Sequence, residues 1–101
     1  MREKGQKASE KQIQEWKERY RDIYEITVDG RVCYLRKPNR RELSYASMAG
    51  KSDPMKFNET ILQQCWLDGD EEIKTEDELF LGVSAQVAQL VEVKEAELKK
   101  L

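Results

Sequence analysis

Residues 23–37 run Ile23-Tyr24-Glu25-Ile26-Thr27-Val28-Asp29-Gly30-Arg31-Val32-Cys33-Tyr34-Leu35-Arg36-Lys37, and the period of this stretch decides the fold. Tyr24, Ile26 and Val28 alternate with Glu25 and Thr27; beyond Asp29-Gly30, Val32, Tyr34 and Arg36 alternate with Cys33 and Leu35. Successive side chains of a strand point to opposite faces, so a period of two in runs rich in β-branched and aromatic residues predicts two strands. Asp-Gly between them predicts a two-residue type I′ turn, whose central positions both need positive φ. The stretch therefore reads as a β-hairpin over residues 23–37. A lone hairpin is marginal in water, so one face must pack on helices.

Upstream, Lys7 to Tyr20 predicts a helix with Ser9 as N-cap. Ile13, Trp16 and Tyr20, spaced by three and four, form one narrow apolar stripe. The other faces are nearly all charged. Glu15 and Arg19 attract at four-residue spacing while Glu18 and Asp22 repel, so packing of the stripe has to hold this helix in place. Residues 1–22 read as a charged N-terminal helix or arm.

Downstream, Pro38 ends the second strand. Asn39 with Glu42 has the form of a capping box for a helix reaching Ala49, closed by Gly50. Leu43 and Ala46 are expected to face inward, with Tyr45 and Met48 beside them. Asp53-Pro54 restarts the chain as N-cap and first-turn proline. Phe57, Ile61, Leu62, Cys65 and Trp66 then line the apolar side of a third helix, the expected centre of the core. Asp68-Gly69-Asp70 reads as a break. Thr75 with Glu78 suggests another capping box, opening a final helix that extends to Leu101. Its stripe is Phe80, Val83, Val87, Leu90 and Val91, continued by Leu98 and Leu101. The expected fold is α+β, mainly α: an N-terminal helix, one β-hairpin and three helices around a single small core, with residues 39–101 as the helical part of one domain spanning 1–101.

A chain of 101 residues suits one hydrophobic core, and 39% hydrophobic residues are enough to build it despite 38% charged ones. No apolar run approaches the roughly 18 residues of a membrane span, and none follows the charges of Met1 to Ser9. A cytoplasmic protein with reduced thiols is the expectation. Cys33 and Cys65 then read as small buried hydrophobes.

The chemistry is narrow. The chain has no histidine, which removes the commonest general base at neutral pH and the commonest zinc ligand. A cysteine nucleophile would lack its usual base. No glycine-rich phosphate loop or Gly-x-Ser-x-Gly elbow occurs. Asp68, Asp70 and Glu72 follow the first places of a calcium loop, but Ile73 stands where its glycine belongs and Leu79 where its closing glutamate belongs. No enzyme activity, metal or cofactor is expected. The paired carboxylates, which lie in runs, read as solvated surface.

Charge is unevenly placed. Residues 66–78 hold seven acidic residues and one lysine, while Arg31, Arg36, Lys37, Arg40 and Arg41 form a basic patch. Arg40 and Arg41 would occupy the first turn of a helix, where the dipole disfavours cations. Pairing of the basic patch with the acidic loop or with neighbouring glutamates is one reading, a partner surface another. The acidic pI argues against general nucleic-acid binding. Opposed patches also suit self-association. The stripe of Val83, Val87, Leu90, Val91 and Leu98 is either core or the apolar half of a protein interface edged by Arg36, Lys37, Arg40 and Arg41.

The order from Val32 onward carries a resemblance. It comprises a strand Val32-Cys33-Tyr34-Leu35-Arg36-Lys37-Pro38, a short helix, Asp53-Pro54-Met55-Lys56-Phe57, Glu59, Ile61-Leu62, Cys65-Trp66, an acidic gap and a closing helix ending in Glu and Lys. Over about residues 31–101 it resembles the small tail assembly chaperones of long-tailed bacteriophages, with a Leu-Arg-x-Pro strand end, an Asp-Pro helix start and an Ile-Leu-x-x-Cys centre. The charged N-terminal helix lies outside that pattern. The resemblance implies a protein of the infected bacterial cytoplasm that coats the tape-measure protein while the tail tube polymerises, and that meets the tube protein in doing so. It transfers no functional residue, since the family has no catalytic signature. The alternatives are a structural or joining subunit of a phage particle and a small nucleic-acid-binding regulator.

Overall fold

The structure, a computed structural model, describes residues 3–91 and 96–101. Its elements in chain order are α1 (Glu10–Tyr20), β1 (Ile23–Val28), β2 (Arg31–Arg36), α2 (Arg40–Ala49), α3 (Pro54–Cys65), β3 (Trp66–Gly69), the one-turn α4 (Glu72–Thr75) and α5 (Asp77–Val87), which tightens into a 3-10 turn over Ala88–Leu90. The class is α+β and mainly α, as expected. The hairpin stands as read: Val28 faces Arg31 across a turn in which Asp29 and Gly30 have φ of 43° and 74°, the positive pair a type I′ turn requires.

The sheet, however, has a third strand. β3 pairs antiparallel with β2, with Cys33 opposite Gly69, Tyr34 opposite Asp68 and Leu35 opposite Trp66. Helix α3 stops at Cys65 and Trp66 turns extended, at φ −65° and ψ 126°. Asp68-Gly69-Asp70 is therefore strand end and ladder rather than a break, and the Asp70 amide continues the pairing to the Val32 carbonyl at 2.9 Å. Gly69 brings β3 close to β2: a Cβ there would stand 2.6 Å from Cys33 Cα.

With strands on both sides, β2 is central and buried on both faces. Cys33 and Leu35 join Ile26, Ala46, Ile61, Leu62, Cys65, Ile73, Val83, Val87 and Leu90 in one core cluster. Val32 and Tyr34 point the other way, where Trp16 of α1 lies with its ring 5.4 Å from that of Tyr34. α3 and α5 thus cover one face of the sheet and the N-terminal residues the other.

The helix starts vary in how they are built. Ser9 accepts from the Gln12 amide, the Asn39–Glu42 box is closed in both directions, and Asp53 accepts from the Met55 amide ahead of Pro54. The Thr75–Glu78 box does not form: Thr75 ends α4, and α5 starts after Glu76 with no side-chain cap. Nor does the final helix continue as expected. Leu90 reaches the core through the 3-10 turn, whose tighter winding breaks the 3.6-residue period, and Val91 is extended. Residues 96–101 are exposed and non-helical. The expected continuation past Lys94 falls partly on residues 92–95, outside the described residues.

Candidate partner-binding surface

The expected apolar half of the interface is core. Val83, Val87 and Leu90 are at most 2% exposed and pack within the cluster that holds β2, so no partner can reach them in the folded chain. Their assignment as partner-binding residues is corrected on that ground. Val91 is half-buried at the end of the 3-10 turn, and Leu98 is fully exposed in the C-terminal segment, so the five residues form no common face.

The basic half divides as well. Arg36 is an internal ligament. Its Nη1 and Nη2 donate to Glu42 Oε1 and Oε2 at 2.8 and 2.5 Å, Nη2 also donates to the Gln64 carbonyl at 2.8 Å, and the guanidinium lies over the Tyr20 ring. One side chain thus joins β2 to the start of α2, the end of α3 and the end of α1. The fork of donors fits a carboxylate two-fold. The Arg36 hydrogen bonds hold the Glu42 carboxyl below its ordinary range, and the Asn39 amide adds to this. Arg36 is therefore corrected from partner contact to structural tie. Arg31 is tied to the acidic stretch, with Nη2 2.9 Å from Glu72 Oε2, and to Asp29. The half-buried Lys37 also has a partner.

Arg40 and Arg41 remain. Both are exposed on the first turn of α2, and no ion pair joins either to another described residue. Helical spacing explains their neighbours. Ala46 is buried and Leu43 half-buried, which fixes the inward side of α2. Residues 41, 45 and 48, at i, i+4 and i+7, then share the opposite side. Tyr45 and Met48 are accordingly 61% and 76% exposed, which corrects the expectation that they face inward. With Arg40, Arg41 and Ser44 they line a shallow depression. Sequence reasoning missed this face because Tyr45 and Met48 read as core. The signal was available: with Leu43 and Ala46 inward, a 3.6-residue period leaves no room for 45 and 48 beside them.

A second exposed apolar pair, Met55 and Leu81, borders a cleft of about 420 Å³ between α3 and α5, lined also by Glu59, Lys74, Asp77 and Phe80. Lys74 is held there by Glu71 at 3.2 Å and by the Trp66 ring, 4.2 Å from its Nζ.

The reactive side chains are held inert. Burial pushes the Cys33 thiol up to about 12 and the Cys65 thiol up to about 11, so both are protonated at neutral pH, and the chain holds no histidine to assist them. Asp70, expected in a solvated acidic loop, is instead 5% exposed and accepts from the Val32 and Gly5 amides, both at 2.9 Å. Among the described residues no group of three or more His, Cys, Asp or Glu side chains is placed to hold a metal ion, and no helix is long and apolar enough to cross a membrane.

Most of the residues that carry the family resemblance act inside the fold. Leu35, Ile61, Leu62 and Cys65 are core, Pro38 is buried, Arg36 is bound to Glu42, and Asp53-Pro54 caps α3. They mark a way of folding and place no partner. Compared with protein-family models, with curated proteins and with solved structures, the chain matches none.

Proposed function

We propose that this chain is a non-enzymatic protein-binding module, and that it works as a phage or prophage tail assembly chaperone that holds the tape-measure protein in the cytoplasm of the bacterial host. The observation that carries the binding role is the outer face of α2, where exposed Tyr45 and Met48 lie beside Arg40 and Arg41, two cations without an ion-pair partner among the described residues. An aromatic and a flexible thioether side chain give large contact area that adapts to different apolar surfaces. Two arginines at the rim select acidic side chains on the partner. A long amphipathic helix with an acidic flank has both features, and a shallow face receives it along its length. The chaperone identity is supported by the resemblance over residues 31–101, and a tape-measure protein is a client of this helical kind.

The test is affinity purification of the tagged chain from infected or prophage-induced cells, followed by mass spectrometry, with Tyr45→Ala/Met48→Ala run in parallel. The expected result is a very long, helix-rich phage protein recovered with the wild type and lost with the double variant. Tube or capsid proteins in fixed ratio, or nucleic acid, would replace this reading with a structural or a regulatory one.

A further inference from the structure

The residues before β1 are attached unlike the rest of the molecule. No residue of α1 is buried, and its Trp16 ring lies on the Tyr34 ring of the sheet. Further ties include the Gly5 amide donating to Asp70 Oδ2 at 2.9 Å, the Ala8 amide donating to the Tyr34 hydroxyl at 3.0 Å, Lys7 3.3 Å from Glu25 and the Tyr20 ring beneath Arg36. Each polar anchor on the sheet side also has a partner within the body. Tyr34 donates its hydroxyl to Glu25 Oε1 at 2.7 Å, Asp70 accepts from the Val32 amide, and Arg36 keeps Glu42. The N-terminal residues can therefore leave without orphaning any of these groups, which is the usual large penalty for opening a packed face.

The junction is built as a strained hinge. Arg21 has φ 74° and ψ −75°, and the Asp22 amide donates to the Tyr20 carbonyl at 3.0 Å, which is a γ-turn of the rare positive-φ kind on a residue with a side chain. At the far end Gly5 adopts φ 73° against the hairpin turn, where a Cβ would lie only 2.4 Å from the Gly30 carbonyl oxygen. Closure thus combines one strained backbone conformation, at Arg21, with a position at Gly5 that only glycine fills, and with these ties.

We infer that residues 3–20 form a strap that opens as a unit about Arg21, uncovering Val32 and Tyr34 on the second face of the sheet while the body from β1 onward stays folded. The strap lies on a different face from the α2 patch. Its failure would leave the partner-binding reading standing, and the reverse holds as well.

Hydrogen–deuterium exchange of the full chain tests this, read residue by residue by NMR. In the wild type the amides of Gly5, Ala8 and Ile13 should exchange at least about tenfold faster than those of β2, because they open below the global unfolding free energy. Three variants load the strap at separate points: Gly5→Ala clashes with Gly30, Trp16→Ala removes the ring contact, and Arg21→Pro forbids positive φ. Each should accelerate exchange over residues 5–20 by a further tenfold or so, leaving β2 exchange within about twofold of the wild type. A single common exchange rate for strap and β2, or acceleration of both by the same factor in all three variants, would overturn the inference. Trypsin gives an independent readout, since cleavage after Lys11, Lys17 or Arg19 should be faster in all three variants than in the wild type, and unchanged cleavage there would overturn the inference.

Discussion

Helices α1 and α5 have the same length, eleven residues each, and both carry an apolar stripe, yet α1 has no buried residue and α5 buries Leu79, Val83, Ser84 and Val87. The difference lies in what each stripe meets. That of α5 faces Cys33 and Leu35 on the side of β2 already closed by α3, and so completes a core with contacts on every side. That of α1 meets the opposite side of the sheet, where Trp16 lies on Tyr34 and Tyr20 beneath Arg36. An apolar stripe reports that a helix has a place to lie, and the surface beneath it decides whether that place is core or cover.

The largest expected effect separates α5 from the C-terminal segment that was read as its continuation. Val87→Asp puts a carboxylate without a partner into a fully buried site and should cost 4 kcal/mol or more, on the order of the whole stability of a domain this size. Leu98→Asp, on a fully exposed residue, should stay within about 0.5 kcal/mol of the wild type. Urea denaturation followed by circular dichroism measures both, and equal losses would mean that core helix and C-terminal segment do not differ in this way.

An intermediate effect belongs to the Arg36–Glu42 tie, which links the two faces. Arg36→Ala should cost about 2–3 kcal/mol, since it removes charge-assisted bonds and leaves the partly buried Glu42 with only the Asn39 amide. The same tie sets an acid limit. Glu42 is held below its ordinary value of 4.5 in the folded state, first by Arg36, and Glu25 likewise, first by the Tyr34 hydroxyl. A depressed carboxyl contributes stability that is fully present above the unfolded value and is lost as pH falls through the folded one. Stability should therefore be flat from neutral pH down to about 5 and then decline, less steeply in Arg36→Ala than in the wild type. A titration of the urea midpoint against pH reads this directly, and identical acid slopes in the two proteins would contradict it.

The smallest effect sharpens the account of α5 itself. Ser84 is 6% exposed, and its hydroxyl finds no hydrogen-bond partner among the described residues. Ser84→Ala should raise stability by roughly 0.5–1 kcal/mol by removing a buried polar group that makes no bond and by improving helix propensity. A loss in the same denaturation experiment would mean that the hydroxyl has a role in the core.

Local rules were legible in the residues: the type I′ hairpin from Asp29-Gly30, the N-cap at Ser9, the capping box at Asn39 and Glu42, the Asp53-Pro54 helix start and the mainly helical class. Each depends on groups a few positions apart in the chain, so the sequence alone determined them. Four things were decided by tertiary structure. β3 exists because four residues with weak strand character find the open edge of β2, and Gly69 permits the close approach. Asp70 is buried because the Val32 and Gly5 amides, 38 and 65 positions away, need an acceptor. The stripe of α5 became core, and that of α1 a cover, according to which face of β2 each reached. Tyr45 and Met48 were turned to solvent when α3 claimed the Ala46 side of α2. Short-range propensity sets which elements the chain can form, whereas burial is a property of pairs of surfaces, and those pairs are chosen only when distant segments meet.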